Sequence, residues 1–542
     1  MPPSAAPAAP RRTISTRALV AVGSWLAALL GGAFFVQTVL ESAPLANVFF
    51  SEAWRSRVLA ALGARTTFAA GDNAVSVDFL RCLAIVAPPL LLLTLLGGAL
   101  GHRRGSREPF IAAAFHQAFA CLPIGAWAVG WLIALLADWD FVVDLLAQTV
   151  ELAAAAAVAL SVLGIVRSGR RTSGVEPPAP PAAPSGAPPS RGARSLLIAG
   201  MAAYVAVFVA MNFGLWFNLR IPHGDSAMYE EHLWNLEYGK GFRSYLDQGL
   251  FLGEHLQVIH VLLIPLHLLV PSHLTLEFAQ SVILALGAWP VFRMARRHSG
   301  SEWAGALLGL AYLAYQPLQA LDIAIDLKTF RPNSLGIPTL LAALDALEER
   351  RWRRAAIWLA LTLSAQEDFA IPIALVGAWL ALSQRPLWPR DRDARSQTAW
   401  GIALFVFGVA YLWLAVNVFI PWFRDGATVH FASYFSRFGS TPREIAVTLL
   451  TRPGLVLATL ITPGSIAYAC RLLLPVGFLP VRSPGRLLVA LPLFLLLCMN
   501  DLAMETPAPV HHFHAYLVPI LFWAAAAGLG DWNRDRAAAA AS

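Results

Sequence analysis

Long apolar runs separated by short arginine-bearing segments make up most of the chain. The runs at 18–40, 79–101, 110–136 and 142–166 each approach or exceed the roughly 20 residues a helix needs to cross a bilayer. They predict a four-span membrane module over 1–166, with a loop at 41–78 and an acidic turn, Asp138-Trp139-Asp140, on the outer side. The stretch TSGVEPPAPPAAPSGAPPS at 172–190 has too few apolar side chains to bury and too many prolines for a helix. It marks a Pro/Ala-rich cytoplasmic linker, 167–194, ahead of a second membrane domain at 195–531 and a short cytoplasmic tail, 532–542.

Arginine placement sets the expected orientation, because short cytoplasmic loops retain Arg and Lys. Clusters at 11–17, 103–107, 167–194, 293–297, 350–354 and 385–395, with Arg482, Arg486, Arg534 and Arg536, are all placed inside, as are both termini. Span 195–218 then delivers a polar stretch, 219–256, to the outside. An odd number of crossings must follow before Arg293, although two apolar runs, 256–271 and 275–292, are present. The first is short, contains Pro265 and carries His260 and His267, so it is read as a helix lying at the outer interface. Further spans fall at 302–320, 333–348, 354–365, 369–384, 399–421, 464–481, 485–500 and 513–530, with a second interfacial helix near 442–460. The expectation is an all-α polytopic protein of about 14 spans.

Composition supports this class: 57% of the 542 residues are hydrophobic and 13% charged, which excludes a soluble multidomain protein. The net charge of +7 is spread in clusters explained by topology, and no basic patch interleaved with aromatics points to nucleic acid. Cys82, Cys121, Cys470 and Cys498 all lie in apolar runs without paired spacing, so neither a disulfide framework nor a zinc site is expected. The basic N-terminus before 18–40 resembles a signal sequence in charge, but its apolar part is too long, and an uncleaved first span is expected.

Candidate chemistry gathers on the outer side of the second domain. Asp225, Tyr229 and His232 in HGDSAMYEEHLWN stand at helical spacing beside Glu230 and Glu231. A carboxylate there suits removal of a proton from an acceptor hydroxyl, and it equally suits a helix N-cap. Lys328 and Arg331, with Lys240 the chain's other lysine, sit where topology does not call for cations. They suit a phosphate or diphosphate leaving group, or pairing with Asp322 and Asp326. Gln366-Glu367-Asp368 interrupts an apolar hairpin, either to act on substrate or metal or, the preferred reading, to neutralise Lys328 and Arg331. His511, His512 and His514 lack a second ligand group at defined spacing, so they read as hydrogen-bonding or phosphate-facing and not as zinc ligands. Asp144, Gln148 and Glu151 share a helix face in the first module, and no chemistry follows from them.

The succession HGDSAMYEEHLWNLEYGKGF, GEHLQVIHVLLIPLHLLVPSHLTLEFAQSVILALGAWPVFRMARR, the 326–338 stretch, QEDFAIP and HHFHAYLVPILF resembles the bacterial membrane proteins catalogued as domain of unknown function 2079. The resemblance covers about residues 200–530. Residues 1–170 lie outside it and look faintly like Yip1-type membrane modules. That family is similar in layout to membrane glycosyltransferases of the C-type (GT-C) fold, which include protein mannosyltransferases and lipid A aminoarabinose transferases. The resemblance implies a polyprenyl-phosphate sugar donor, Asp225 and Glu230 at the first and second acidic positions, and His255 at a loop histidine. Arg331-Pro332-Asn333 stands where His-Pro-Glu is expected, and Gln366 where Lys often precedes the acidic pair.

The leading expectation is an inner-membrane glycosyltransferase acting on an unknown acceptor at the periplasmic face. Asp225 would be the base, with Glu230 or Glu231 orienting the acceptor. Lys328 and Arg331 would stabilise the leaving phosphate, with His255, Asp326, Glu367, Asp368, His512 and His514 around the substrate. No cofactor is expected, although the site leaves room for a divalent cation. The rival expectations are a transporter or flippase for a lipid-linked or anionic substrate, and a noncatalytic assembly subunit; no internal repeat or charged path through the bilayer favours the transporter.

Overall fold

The computed structural model describes residues 15–69, 72–102, 107–173, 190–221, 225–242, 244, 252–323, 330–383, 391–427 and 429–541. The chain divides into two compact units, Met1–Ala179 and Pro180–Ser542; residues 174–189, within the expected linker, lie outside the described residues.

In the first unit, helices Thr16–Glu41, Phe79–Gly101 and Glu108–Ala120 continued by Leu122–Leu136 are each apolar and long enough to cross a membrane. In the most apolar windows of the first two, 28% and 17% of residues are buried. Side chains such as Leu91, Leu92 and Leu95 point outward, an arrangement that suits hydrocarbon and not water. Packing inside is specific: Trp25 donates to Thr94 Oγ1 (3.1 Å), and Trp127 donates to the Leu146 carbonyl (2.9 Å).

Two features depart from the sequence reading. The 41–78 loop contains helix Glu52–Ala61 and an antiparallel hairpin, Arg65–Ala69 with Asp72–Ser76, favoured by β-branched Thr66, Thr67 and Val75. The fourth apolar run is broken between Asp140–Gln148 and Val150–Ser173, with a 49° bend. Asp144 and Glu151 therefore sit on separate helices and share no continuous face.

The second unit is built around two helices that bury their whole circumference, as a helix apolar on all sides must. In Pro332–Glu348 every residue but Ala342 and Glu348 is buried. In Leu517–Ala541 the stretch Leu517–Ala527 is buried. Tyr312 and Tyr315 pack edge-on to Phe522 at 5.2 and 5.1 Å, and their hydroxyls donate to the carbonyls of Leu284 (3.0 Å) and Leu472 (2.8 Å). Arg191–Phe217, His273–Ser299 and Arg392–Phe423 are long and apolar enough to span, and Pro453–Leu460 with Pro463–Val476 forms a second bent pair. The short helix expected within 256–271 appears as Ile259–Leu263 running into Ile264–Leu269.

Among the described residues the helices of spanning length number six, or eight counting both bent pairs, against the expected fourteen. Trp352–Ala365, Ala370–Leu382 and Pro484–Met499 have 14, 13 and 16 residues, and the run at 302–320 breaks into Glu302–Leu313 and Gln316–Ile323. At 1.5 Å per residue such pieces fall short of a hydrocarbon core about 30 Å thick.

Close backbone contact joins Ala370–Leu382 to Arg392–Leu414. A Cβ on Gly401 would lie 2.5 Å from the Ala381 nitrogen and 2.7 Å from the Gly377 oxygen; one on Gly408 would lie 2.7 Å from the Ala370 oxygen. Small residues permit this approach, as they do between helices in bilayers. Gly401→Leu must push the helices apart, and a loss of about 3 kcal/mol is expected, read as a lower melting temperature of the purified protein. Gly214→Leu, where a Cβ meets nothing within 4 Å, should not show that loss.

The arginine clusters of the second unit meet at one end. Glu348 accepts from Arg297 (2.8 Å), Arg486 (3.1 Å) and the Trp523 indole (2.8 Å), with His298 at 3.0 Å. Asp345 pairs with Arg293 (3.1 Å) and Arg297 (2.9 Å). Arg331, at the other end of the same helix, belongs to a separate polar cavity.

Candidate functional site

That cavity, about 450 Å³ in volume, is lined on its polar side by Tyr229, Glu254, His255, Arg331, Gln366, Asp368, Asn500, His512 and Tyr516. It is assembled from six places in the sequence. Helices Trp352–Ala365 and Ala370–Leu382 are joined by the tight turn Glu367–Phe369, which sets Glu367 and Asp368 at the apex of a hairpin. Phe369 anchors that turn: it is fully buried, packs edge-on to Tyr516 at 4.7 Å, and lies so close over Gly336 that a Cβ there would enter its ring. The segment carrying His255 is tied to the end of the first hairpin helix by a bond from Val258 N to the Ser364 carbonyl, 2.8 Å.

Glu367 is fully buried. One of its oxygens lies 2.6 Å from Nδ1 of His255, and the other accepts from Leu256 N at 2.8 Å. The Gln366 amide nitrogen lies 3.1 Å from both His255 Nδ1 and Asp368 Oδ2. The same Asp368 oxygen accepts from the Tyr516 hydroxyl at 3.1 Å. The His255 ring is parallel to that of Phe431, with centroids 6.1 Å apart.

These contacts change the proton affinities. Burial alone would lower the His255 pKa, but the adjacent Glu367 carboxylate outweighs it and raises the value to about 9. Burial, reinforced by the Glu367 charge, raises Asp368 to about 6. A half-buried carboxylate with raised proton affinity beside a cationic imidazole is an arrangement suited to moving protons near neutral pH.

Of the residues expected from sequence, His255, Arg331, Asp368 and His512 line the cavity, and Glu367 lies behind its wall. Glu367 pairs with His255, not with Arg331 as the neutralising role would require. Asp225 begins helix Asp225–Glu237, four residues ahead of Tyr229; its side chain, and residues Asp326 and Lys328, lie outside the described residues.

Glu230 and Glu231 do not line the cavity. Glu230 is 3.5 Å from His273, which also meets Glu277 at 2.7 Å, and Glu231 accepts from Ser244. The three C-terminal histidines separate: His511 and His514 meet the carbonyls of Ala503 (3.0 Å) and Pro317 (2.8 Å), and His512 alone reaches the cavity.

Sequence reasoning missed Tyr516 and Asn500, and gave Gln366 no contact role. Tyr516 lies two residues beyond His514 and directly before an apolar helix, a polar position that would have flagged it. Asn500 caps Asp501–Glu505 by accepting from Ala503 N (2.9 Å), and nothing local distinguishes it from an ordinary cap.

Beside the polar cavity lies an apolar groove of about 790 Å³, walled by Leu256, Leu359, Leu363, Trp400, Phe407 and Tyr411 among others. Leu256 follows His255 in the chain, and Tyr411 precedes Leu412, which lines the polar cavity. Residues adjacent in the chain thus line the two spaces, one charged and one greasy.

No curated protein and no solved structure matches the chain. The family model described as "Predicted membrane protein (DUF2079)" matches residues 218–539, the region that holds every residue of the polar cavity. The chain is a member of that family of predicted membrane proteins.

Proposed function

We propose that the protein is an integral membrane glycosyltransferase with a GT-C-like core, taking a sugar from a polyprenyl-phosphate donor at the periplasmic face of the inner membrane. The observation that carries this reading is a charged cavity and an apolar groove lined by residues adjacent in the chain, His255 with Leu256 and Leu412 with Tyr411. An amphipathic donor needs such a pair, a greasy channel for its chain opening onto charged groups for its head. Arg331 provides a planar donor fork for phosphate. Asp225 removes the acceptor proton. The meeting of Arg293, Arg297 and Arg486 at one end of Pro332–Glu348, with Arg331 at the other, supports placing the cavity on the side opposite the cytoplasm.

Purified protein in nanodiscs should transfer radiolabelled sugar from at least one member of a panel of polyprenyl-phosphate donors. Binding of the lipid without transfer from any member would favour a carrier over an enzyme.

A further inference from the structure

We propose that His255, Glu367 and Asp368 form a binding site for one divalent first-row cation of the Mn2+ or Zn2+ kind, opening onto the polar cavity. One ligating atom from each, an imidazole nitrogen and two carboxylate oxygens, lies within 4.8 Å of the others. Ligands about 2.0–2.2 Å from a shared centre stand at most about 4.4 Å apart, so the three atoms need draw together by no more than a few tenths of an ångström to hold one small ion.

The contacts within the group are incompatible with one another in a way that an ion resolves. His255 Nδ1 faces a carboxylate oxygen of Glu367 at 2.6 Å and the amide nitrogen of Gln366 at 3.1 Å. The carboxylate requires Nδ1 to carry a hydrogen; the amide requires it to offer a lone pair. A single ring nitrogen does one or the other. A cation sitting among the ligands takes the lone pair of Nδ1 and the charge of Glu367 together, and the conflict disappears.

A second, independent observation comes from the same turn. Gln366 is 2% exposed and lines the cavity, yet its carbonyl oxygen Oε1 has no hydrogen-bond partner among the described residues. An orphaned oxygen of this kind is costly to bury and is a serviceable fourth ligand or partner for an ion-bound water.

The groups behind the ligands are those that metal sites use to aim them. Leu256 N holds the outer oxygen of Glu367, and the Tyr516 hydroxyl holds Asp368, fixing both carboxylates in the orientation a cation needs. Two carboxylates against one imidazole also leave an excess of negative charge in a site where one ligand, Glu367, is fully buried, an expensive arrangement without a counter-ion.

The imidazole selects the class of ion, because nitrogen donors suit first-row transition ions and zinc over Mg2+ and Ca2+, while the carboxylates admit Mn2+. With three charged or imidazole donors from the protein, coordination positions remain for an anionic ligand in the cavity. The inference does not rest on sugar transfer, and its test has no activity readout.

Full-length protein in nanodiscs, stripped with a chelator, is titrated with Mn2+ while the free ion is followed by electron paramagnetic resonance; Zn2+ and Mg2+ are added as competitors. One Mn2+ per chain is expected, displaced by Zn2+ and far less readily by Mg2+, with coupling to an imidazole nitrogen in the pulsed spectrum. Asp368→Asn, which keeps the shape of its partner to Tyr516, should weaken binding by about tenfold or more, and His255→Ala should remove the nitrogen coupling. Melting and size-exclusion profiles establish that each variant is folded; if His255→Ala is not, Asp368→Asn carries the test. Absence of binding in wild type, unchanged binding in a folded Asp368→Asn, unchanged nitrogen coupling in a folded His255→Ala, or equal competition by Mg2+ would each overturn the assignment.

Discussion

Glu348→Ala is expected to destabilise the protein by about 3 kcal/mol, the lower end of the cost of removing one partner from a buried ion pair. The side chain is 10% exposed and receives Arg297, Arg486, His298 and the Trp523 indole. Alanine would take away the carboxylate that Arg486 and His298 meet and leave Arg297 with Asp345 and Glu349. Arg486 is held there by more than charge, since its guanidinium lies 4.9 Å from the Trp379 ring centroid and 5.1 Å from that of Trp523, and it cannot leave without abandoning both faces. Its Nε has no hydrogen-bond partner among the described residues, so the group depends heavily on Glu348.

The measurement is the melting temperature in one detergent, alongside Glu348→Gln and Glu349→Ala. Glutamine keeps an oxygen for the Trp523 indole but loses the charge, so its loss should be intermediate. Glu349, with a 21% exposed side chain, should cost less than Glu348. Equal melting temperatures for wild type and Glu348→Ala would show that the cluster contributes no net stability, as holds for many exposed ion pairs.

This cluster shows how far the sequence could be read. Arg293, Arg297 and Arg486 were separable from the polar residues by position alone, because topology explains cations between apolar runs. Their assembly around one carboxylate was not separable, since Glu348 is 50 residues from His298 and 138 from Arg486. Long apolar helices were legible to within a few residues: the run at 18–40 became Thr16–Glu41, and 79–101 became Phe79–Gly101. Hydropathy over such lengths is a sum of many small contributions and tolerates local error.

Short elements failed for the opposite reason. The bend at Thr149 and the break at 314–315 are set by a few residues, and apolar composition continues across both. At the cavity, the residue types were legible and their pairing was not. Gln366, Glu367 and Asp368 were conspicuous in an apolar hairpin, but no periodicity links Glu367 to His255, 112 positions away. The three histidines at 511–514 looked like a unit because they are adjacent, and folding turns two of them to backbone carbonyls.

Asp225→Asn is the second large effect expected, a fall of about 10² to 10⁴ in the rate of sugar transfer, the range a positioned general base contributes. Position 225 opens the helix Asp225–Glu237, and one turn later Tyr229 lines the polar cavity, its hydroxyl bonded to Gln257 at 2.8 Å. Positions separated by four share a helix face, so the helix that delivers Tyr229 to the cavity carries position 225 on the same side. Asparagine preserves shape and can still cap the helix, which separates the two roles the sequence allowed for this carboxylate. A cap alone predicts unchanged transfer; a base predicts collapse of turnover with donor binding intact. The parallel variant Asp368→Asn tests a carboxylate of the cavity wall itself, which Glu254 also lines. If transfer survives in Asp225→Asn and collapses in Asp368→Asn, the base is the residue whose proton affinity burial and the Glu367 charge have already raised, and the first outer segment serves to position the acceptor.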